Sequence, residues 1–229
     1  MQERAMSITL AFDVYGTLID TQGVVASLER IIGNKAGSFS QAWRDKQLEY
    51  SFRRGLMQNY VDFGICTSQA LDYTCLQYKL PFTEEQKAGL LAGYGSLPPF
   101  GDVTEGLSRL QEAGFQLYAF SNGTKEAVGN LLETAGIGRF LHGVVSCDDI
   151  RTFKPNPAVY SHFLKESNSS GDTTWLVSSN PFDVIGAVSA GLCAAWVRRS
   201  GTAIFDPWDV EPTAIVRGLG ELQDILPQS

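Results

Sequence analysis

Apolar positions change period along the chain, and those changes divide it into parts. Residues 8–13, "ITLAFD", form a short unbroken apolar run ending on an acid, the pattern of a strand buried on both faces of a parallel sheet. Beyond residue 21 the apolar positions recur at helical spacing. "GVVASLERIIG" predicts a helix closed by Gly33, and "SFSQAWRDKQLEYSFRRG" a longer one closed by Gly55. In the second, Trp43, Gln47 and Tyr50 share one side, with Arg44 and Leu48 beside them. "VDFGICTSQALDYTCLQY" and "TEEQKAGLLAGYG" predict two further helices, the last opening with a Thr83 cap and acids in its first turn. No strand pattern lies between 22 and 97, and Pro98-Pro99 in "LPPFGDV" mark a linker.

Helices and strands then alternate. The pattern predicts a helix at 103–113, strand "FQLYAF", a helix at 125–135, strand "GVVS", a helix at 157–165, strand "TWLVSS", a helix at 182–190 and strand "AAWVRR". This alternation implies right-handed βαβ units and a parallel sheet. The all-helical stretch falls between the first strand and the rest, so it reads as an insertion. The expected layout is an α/β core of residues 1–20 and 98–229, with a helical cap at 21–97.

Composition narrows the function classes. The chain has 229 residues, 44% of them hydrophobic, with a formal charge of −7. A nucleic-acid partner would want a basic face, and the longest basic patches are the pairs Arg53-Arg54 and Arg198-Arg199. Cysteines 66, 75, 147 and 193 form no CxxC and have no neighbouring His, which favours free thiols in a reducing compartment over disulfides or zinc. "MQERAMSITLAFD" lacks the apolar stretch of a signal peptide, and no run approaches the ~18 apolar residues of a membrane span. The expectation is a cytoplasmic protein with neither a membrane nor a nucleic-acid partner.

Ligands of open parallel sheets bind beyond the carboxyl ends of the strands. Strand one ends at Asp13, followed by Val14-Tyr15-Gly16-Thr17; the second ends in Ser121-Asn122-Gly123; "CDDIRTFKPNP" with Lys154 follows the third; "SSNPFD", Ser178 to Asp183, ends the fourth. Singly, each reads more readily as turn or cap chemistry. Together they place an acid, a hydroxyl with an amide, a lysine and a second acid at one crevice. His142 and His162 stand apart from these clusters and are expected to be structural or exposed.

The set Asp13…Thr17, Ser121-Asn122, Lys154-Pro155 and Asp183 resembles the four motifs of the haloacid dehalogenase-like hydrolase superfamily across essentially the whole chain. That resemblance implies a Rossmann-like core and an aspartate nucleophile. Most members are magnesium-dependent phosphatases whose first motif reads D-x-D; here the third position is Tyr15. A phosphatase needs that second carboxylate to protonate an alkoxide, and magnesium to shield the phosphate. A departing halide needs neither. "YGT", "WRDKQLEY", "SNG", "FKPNPAVY" and "SSNPFD" together resemble the L-2-haloacid dehalogenase (type II) family.

That narrower resemblance implies a hydrolase, without metal or cofactor, acting on a short (S)-2-haloalkanoate with water and releasing halide. Asp13 would be the nucleophile, and Lys154 would orient it, with Thr17 and Ser178 hydrogen-bonded in the same network. Ser121 and the backbone at Val14 and Tyr15 would receive the substrate carboxylate. Arg44 would accept the halide, with Asn122 and Phe182 beside it; Phe182 stands where relatives often carry tryptophan. Asp183, helped by Asn180, would activate water, and Tyr160 would sit near the lysine. Tyr15, Leu48 and Phe63 would wall the alkyl group. The resemblance also implies a homodimer. A magnesium-dependent phosphatase and a non-catalytic binding protein are the alternatives, the first requiring a carboxylate at position 15.

Overall fold

The computed structural model describes residues 8–227; residues 1–7 and 228–229, with the expected leaderless N-terminus and the outer limits of the core, lie outside it. Strand β1 (Thr9–Asp13) is buried along its whole length. Four helices follow: α1 (Gly23–Ile32), α2 (Ala36–Leu56), α3 (Phe63–Tyr78) and α4 (Glu84–Gly93). Then come α5 (Val103–Glu112), β2 (Gln116–Ser121), α6 (Lys125–Thr134), β3 (Gly143–Ser146) and α7 (Pro157–Glu166). The chain continues through β4 (Thr174–Ser178), α8 (Pro181–Ser189), β5 (Cys193–Val197), β6 (Ala214–Val216) and α9 (Leu222–Ile225).

The six strands are parallel, in the order β3-β2-β1-β4-β5-β6. β1 is therefore central, and the chain winds away from it in both directions, which opens a crevice at its carboxyl end. Alternate residues of β1 face opposite layers. Leu10 and Phe12 join a cluster with Val103, Leu107 and Leu131 of α5 and α6, while Ala11 packs with Val159, Phe163 and Val184 of α7 and α8. Burial on both faces explains the unbroken apolar run.

One helix end and one strand depart from the sequence expectation. Gly33, at φ 60°, closes α1 as expected. Gly55 does not close α2, which runs on to Leu56, and Gln58 turns the chain with φ 54°. β6 has three residues, one of them exposed, too short and too mixed to carry a strand period. Thr83 caps α4 in a full capping box with Gln86.

The two chain crossings between sheet and helices run side by side. Asp20 N–H donates to the Pro98 carbonyl (2.8 Å) and Phe100 N–H to the Leu18 carbonyl (3.0 Å). Arg199 clasps both, donating to the Thr17 carbonyl (2.7 Å) and to Asp102 Oδ1 (2.6 Å). No helix of the described residues is long and apolar enough to cross a membrane.

Candidate active site

Asp13 ends β1, and the chain must reverse at once. Gly16 makes that possible with φ 86°, a left-handed conformation that side chains disfavour. The buried Val14 carbonyl gathers the N–H groups of Thr17, Leu18 and Ile19. This tight loop brings the Thr17 hydroxyl back onto Asp13 Oδ2 at 2.8 Å. Asn180, at the start of α8, donates its side-chain N–H to the same oxygen at 2.7 Å.

Lys154 lies beneath the carboxylate and is 1% exposed. Its ammonium donates to Asp13 Oδ1 (3.2 Å), Asp183 Oδ2 (2.7 Å) and the Phe120 carbonyl (2.9 Å), which satisfies all three N–H groups. Its own backbone N–H is held by Asn122 Oδ1 at 2.9 Å. Burial alone would lower the lysine pKa, but Asp183 and Asp13 outweigh it and hold the ammonium above the ordinary lysine value. One cation thus serves two carboxylates. Burial raises the Asp183 carboxyl above the ordinary range, and although Lys154 pulls it down, the charge of Asp13 pushes it up again. Asp183 is wholly buried, and its second oxygen accepts the Tyr160 hydroxyl at 2.9 Å.

The helical segment meets this loop from outside. Arg44 of α2 donates to the Tyr15 carbonyl at 3.3 Å and to Gln47 Oε1 at 2.9 Å. The Tyr15 ring lies 6.5 Å from Phe63 and 6.2 Å from Tyr94 between ring centres. Burial, reinforced by Tyr94, pushes the Tyr15 phenol up to about 12, so it is a neutral apolar wall near neutral pH. Phe182 of α8 packs edge to face against Phe52 of α2 at 5.1 Å. Leu48 is half-buried one turn beyond Arg44.

The structure therefore brings Asp13, Thr17, Asn180, Lys154, Asp183, Tyr160 and Asn122 into one hydrogen-bonded group. Ser121 is buried beside it and accepts the Gly123 N–H at 3.1 Å. Ser178 differs from expectation: its hydroxyl accepts the Asn180 N–H, and Thr17 meets Ser179 instead, at 3.2 Å. Ser179 also donates to the Gly16 carbonyl at 2.6 Å. Two successive serines at a strand end carry no signal for which one turns inward. His142 bonds to the backbone of Leu117 and His162 lies 3.4 Å from Asp149, both away from Asp13.

The residues present do not suit a magnesium ion. Position 15 offers a phenol, both Asp183 oxygens are engaged, and among the described residues no group of three His, Cys, Asp or Glu gathers at metal-binding distance.

A buried aspartate at the carboxyl edge of a central parallel strand, paired with a lysine, defines a hydrolase site of the Rossmann-like class. The haloacid dehalogenase-like hydrolase model matches residues 9–191, and the chain belongs to that family. It is 34% identical to the (S)-2-haloacid dehalogenase of Pseudomonas putida, covering 96% of each chain. It is 38% identical to haloacetate dehalogenase H-2 of Moraxella sp. (strain B), over 85% of this chain and 87% of the relative. The L-2-haloacid dehalogenase of Xanthobacter autotrophicus with chloropropionic acid covalently bound superposes with a TM-score of 0.88 at 32% identity, covering 96% and 98% of the two chains.

Proposed function

We propose that the protein is an (S)-2-haloacid dehalogenase that displaces halide from short 2-haloalkanoates through an aspartyl ester. The observation that carries this is Asp13, held by Thr17, Asn180 and Lys154 beneath the aromatic wall of Tyr15. An Asp13 oxygen attacks C2 from the side opposite the halogen; the C–O bond forms as the C–X bond breaks, and halide leaves with the electron pair. Arg44 stabilises charge that appears only as the halide departs. Ser121 and the backbone at Val14 and Tyr15 receive the substrate carboxylate, and Asn122, Leu48, Phe63 and Phe182 line the remainder.

Esterification removes the Asp13 charge. Asp183, which shared Lys154 with it, is then the sole carboxylate on that ammonium and serves as base, with Asn180 guiding the water. Water attacks the ester carbonyl carbon of Asp13, its proton passes towards Asp183, and the acyl–oxygen bond breaks. Asp183 returns its proton to the departing alkoxide, which leaves as the (R)-2-hydroxy acid, and the remaining water proton is lost from the Asp13 carboxyl to solvent, restoring the carboxylate. Residues 21–97 act in this reading as a cap over a core of 1–20 and 98–229. The protein works in the cytoplasm as a homodimer, a reading supported by its four free thiols and by the exposed Leu56 and Leu76 of α2 and α3 and Met57 just past α2.

The test is chloride release from (S)-2-chloropropionate and from chloroacetate in EDTA. Release is expected from the wild type and absent from Asp13→Asn. No release, together with magnesium-dependent hydrolysis of p-nitrophenyl phosphate, would overturn the reading.

A further inference from the structure

Gln47 lies on α2 one turn beyond Arg44 and is 1% exposed. A buried primary amide is costly unless both its ends find partners. Its Oε1 accepts Arg44 Nη1 at 2.9 Å, and its Nε2 donates to Thr67 Oγ1 at 2.5 Å. The Thr67 hydroxyl in turn donates to the Phe63 carbonyl at 2.8 Å.

This order fixes the amide. The Thr67 hydrogen is committed to Phe63, so Thr67 can only accept from Gln47, which puts the amide nitrogen at that end. Guanidinium offers donors only, so the amide oxygen must face Arg44. Both ends demand the same orientation. Trp43 Nε1 secures the far end, donating to the Thr67 carbonyl at 2.9 Å. The Arg44 guanidinium is thus held between Gln47 from its own helix and the Tyr15 carbonyl above Asp13.

We infer that Gln47, backed by Thr67, is a positioning residue that aims the Arg44 guanidinium at the departing halide. The inference rests on the dehalogenase reading, and it adds that leaving-group selectivity is set from inside the helical segment. Arginine has a long flexible stem, and a misaimed guanidinium harms the poorer leaving group more. Chloride concentrates charge more than bromide and needs the greater stabilisation as it departs.

The test is single-turnover halide release from (S)-2-chloropropionate and (S)-2-bromopropionate, which reads ester formation alone. Gln47→Leu is expected to raise the bromide-to-chloride rate ratio about 3- to 10-fold, and Thr67→Val about 2- to 3-fold, while KM, measured separately in the steady state, moves less than the rate. Thr74→Val is the control, because it removes a buried hydroxyl on the same helix that bonds only to Ala70. Its ratio stays at the wild-type value. A folded Gln47→Leu protein with the wild-type ratio overturns the assignment. If Gln47→Leu does not fold, a raised ratio in Thr67→Val supports it and an unchanged one overturns it. A wild type that releases neither halide defeats the dehalogenase reading itself, whereas active variants with unchanged ratios defeat only the positioning role.

Discussion

Lys154 donates to two carboxylates and a carbonyl in a space almost closed to water. Its contribution to stability is present below the ordinary lysine pKa and is lost only as the pH rises through the higher folded value. Lys154→Met keeps the stem and removes the charge, leaving Asp13 and Asp183 without a cation. Breaking a buried pair from one side costs about 3–5 kcal/mol, and urea unfolding near neutral pH is expected to show that loss. The pH dependence has a definite sign. The Asp183 carboxyl is already raised in the folded state, and removing the ammonium raises it further, so the folded variant takes up a proton before the unfolded chain does. The penalty should therefore shrink as the pH falls towards the ordinary carboxylate range. A penalty that stays constant down to acid pH would show that packing, not charge, makes Lys154 necessary.

Helices α7 and α8 show how an element supports that residue. Gly186 of α8 lies against Tyr160 and Pro155, and a Cβ there would come within 2.6 Å of Pro155 Cβ and closer still to the Tyr160 hydroxyl. The glycine lets Tyr160 approach Asp183. Gly186→Ala would gain roughly 1 kcal/mol in helix propensity, yet it must displace a tyrosine that is fully buried and bonded. A net loss of about 1–3 kcal/mol in denaturant unfolding is expected; a stabilised variant would mean that α7 and α8 separate freely. The position of α8 itself was legible, since Pro181 opens it after a strand-end cluster. So were Asp13, Lys154 and Asp183, because strand ends in a parallel sheet converge on one edge. Gln47 was legible only as sharing a side of its helix with Trp43 and Tyr50, beside Arg44, and its bond to Thr67 of α3 was not. Pairing between side chains on two helices leaves no period in either. The inward turn of Ser179 and the three-residue β6 escaped for the same kind of reason: each is decided by a neighbour distant in sequence.

At the scale of the whole molecule, the helical segment joins the sheet through two crossings tied by backbone bonds, an apolar cluster that runs from β1 into α1–α4, and a seam of side-chain contacts. Besides Arg44 on Tyr15, these include Phe52 on Phe182, Phe63 on Phe153, and Tyr60 packed against Phe153 at 5.0 Å between ring centres. The Tyr60 and Phe153 rings are tilted at 31°, and Tyr60 adds a polar tie, its hydroxyl donating to Asp148 Oδ1 at 2.5 Å. Burial, and then the bond to Asp148, raises this phenol far above its ordinary value, so it remains a donor throughout the neutral range. The loop at 57–62 is exposed or half-buried and opens locally at lower cost than the sheet, whose strands are buried in two apolar clusters. Tyr60→Phe keeps the ring contact and removes only the tie. A bond of this kind contributes about 1 kcal/mol, which is roughly a fivefold change in a local opening equilibrium. Hydrogen exchange across 57–62 and 148–153 should accelerate by about that factor, while β1 and β2 keep their protection. Exchange that rises equally in the sheet would show that the segment and the core open as a single unit. An unchanged rate at 57–62 would show that the aromatic contacts on Phe153 hold the two together unaided.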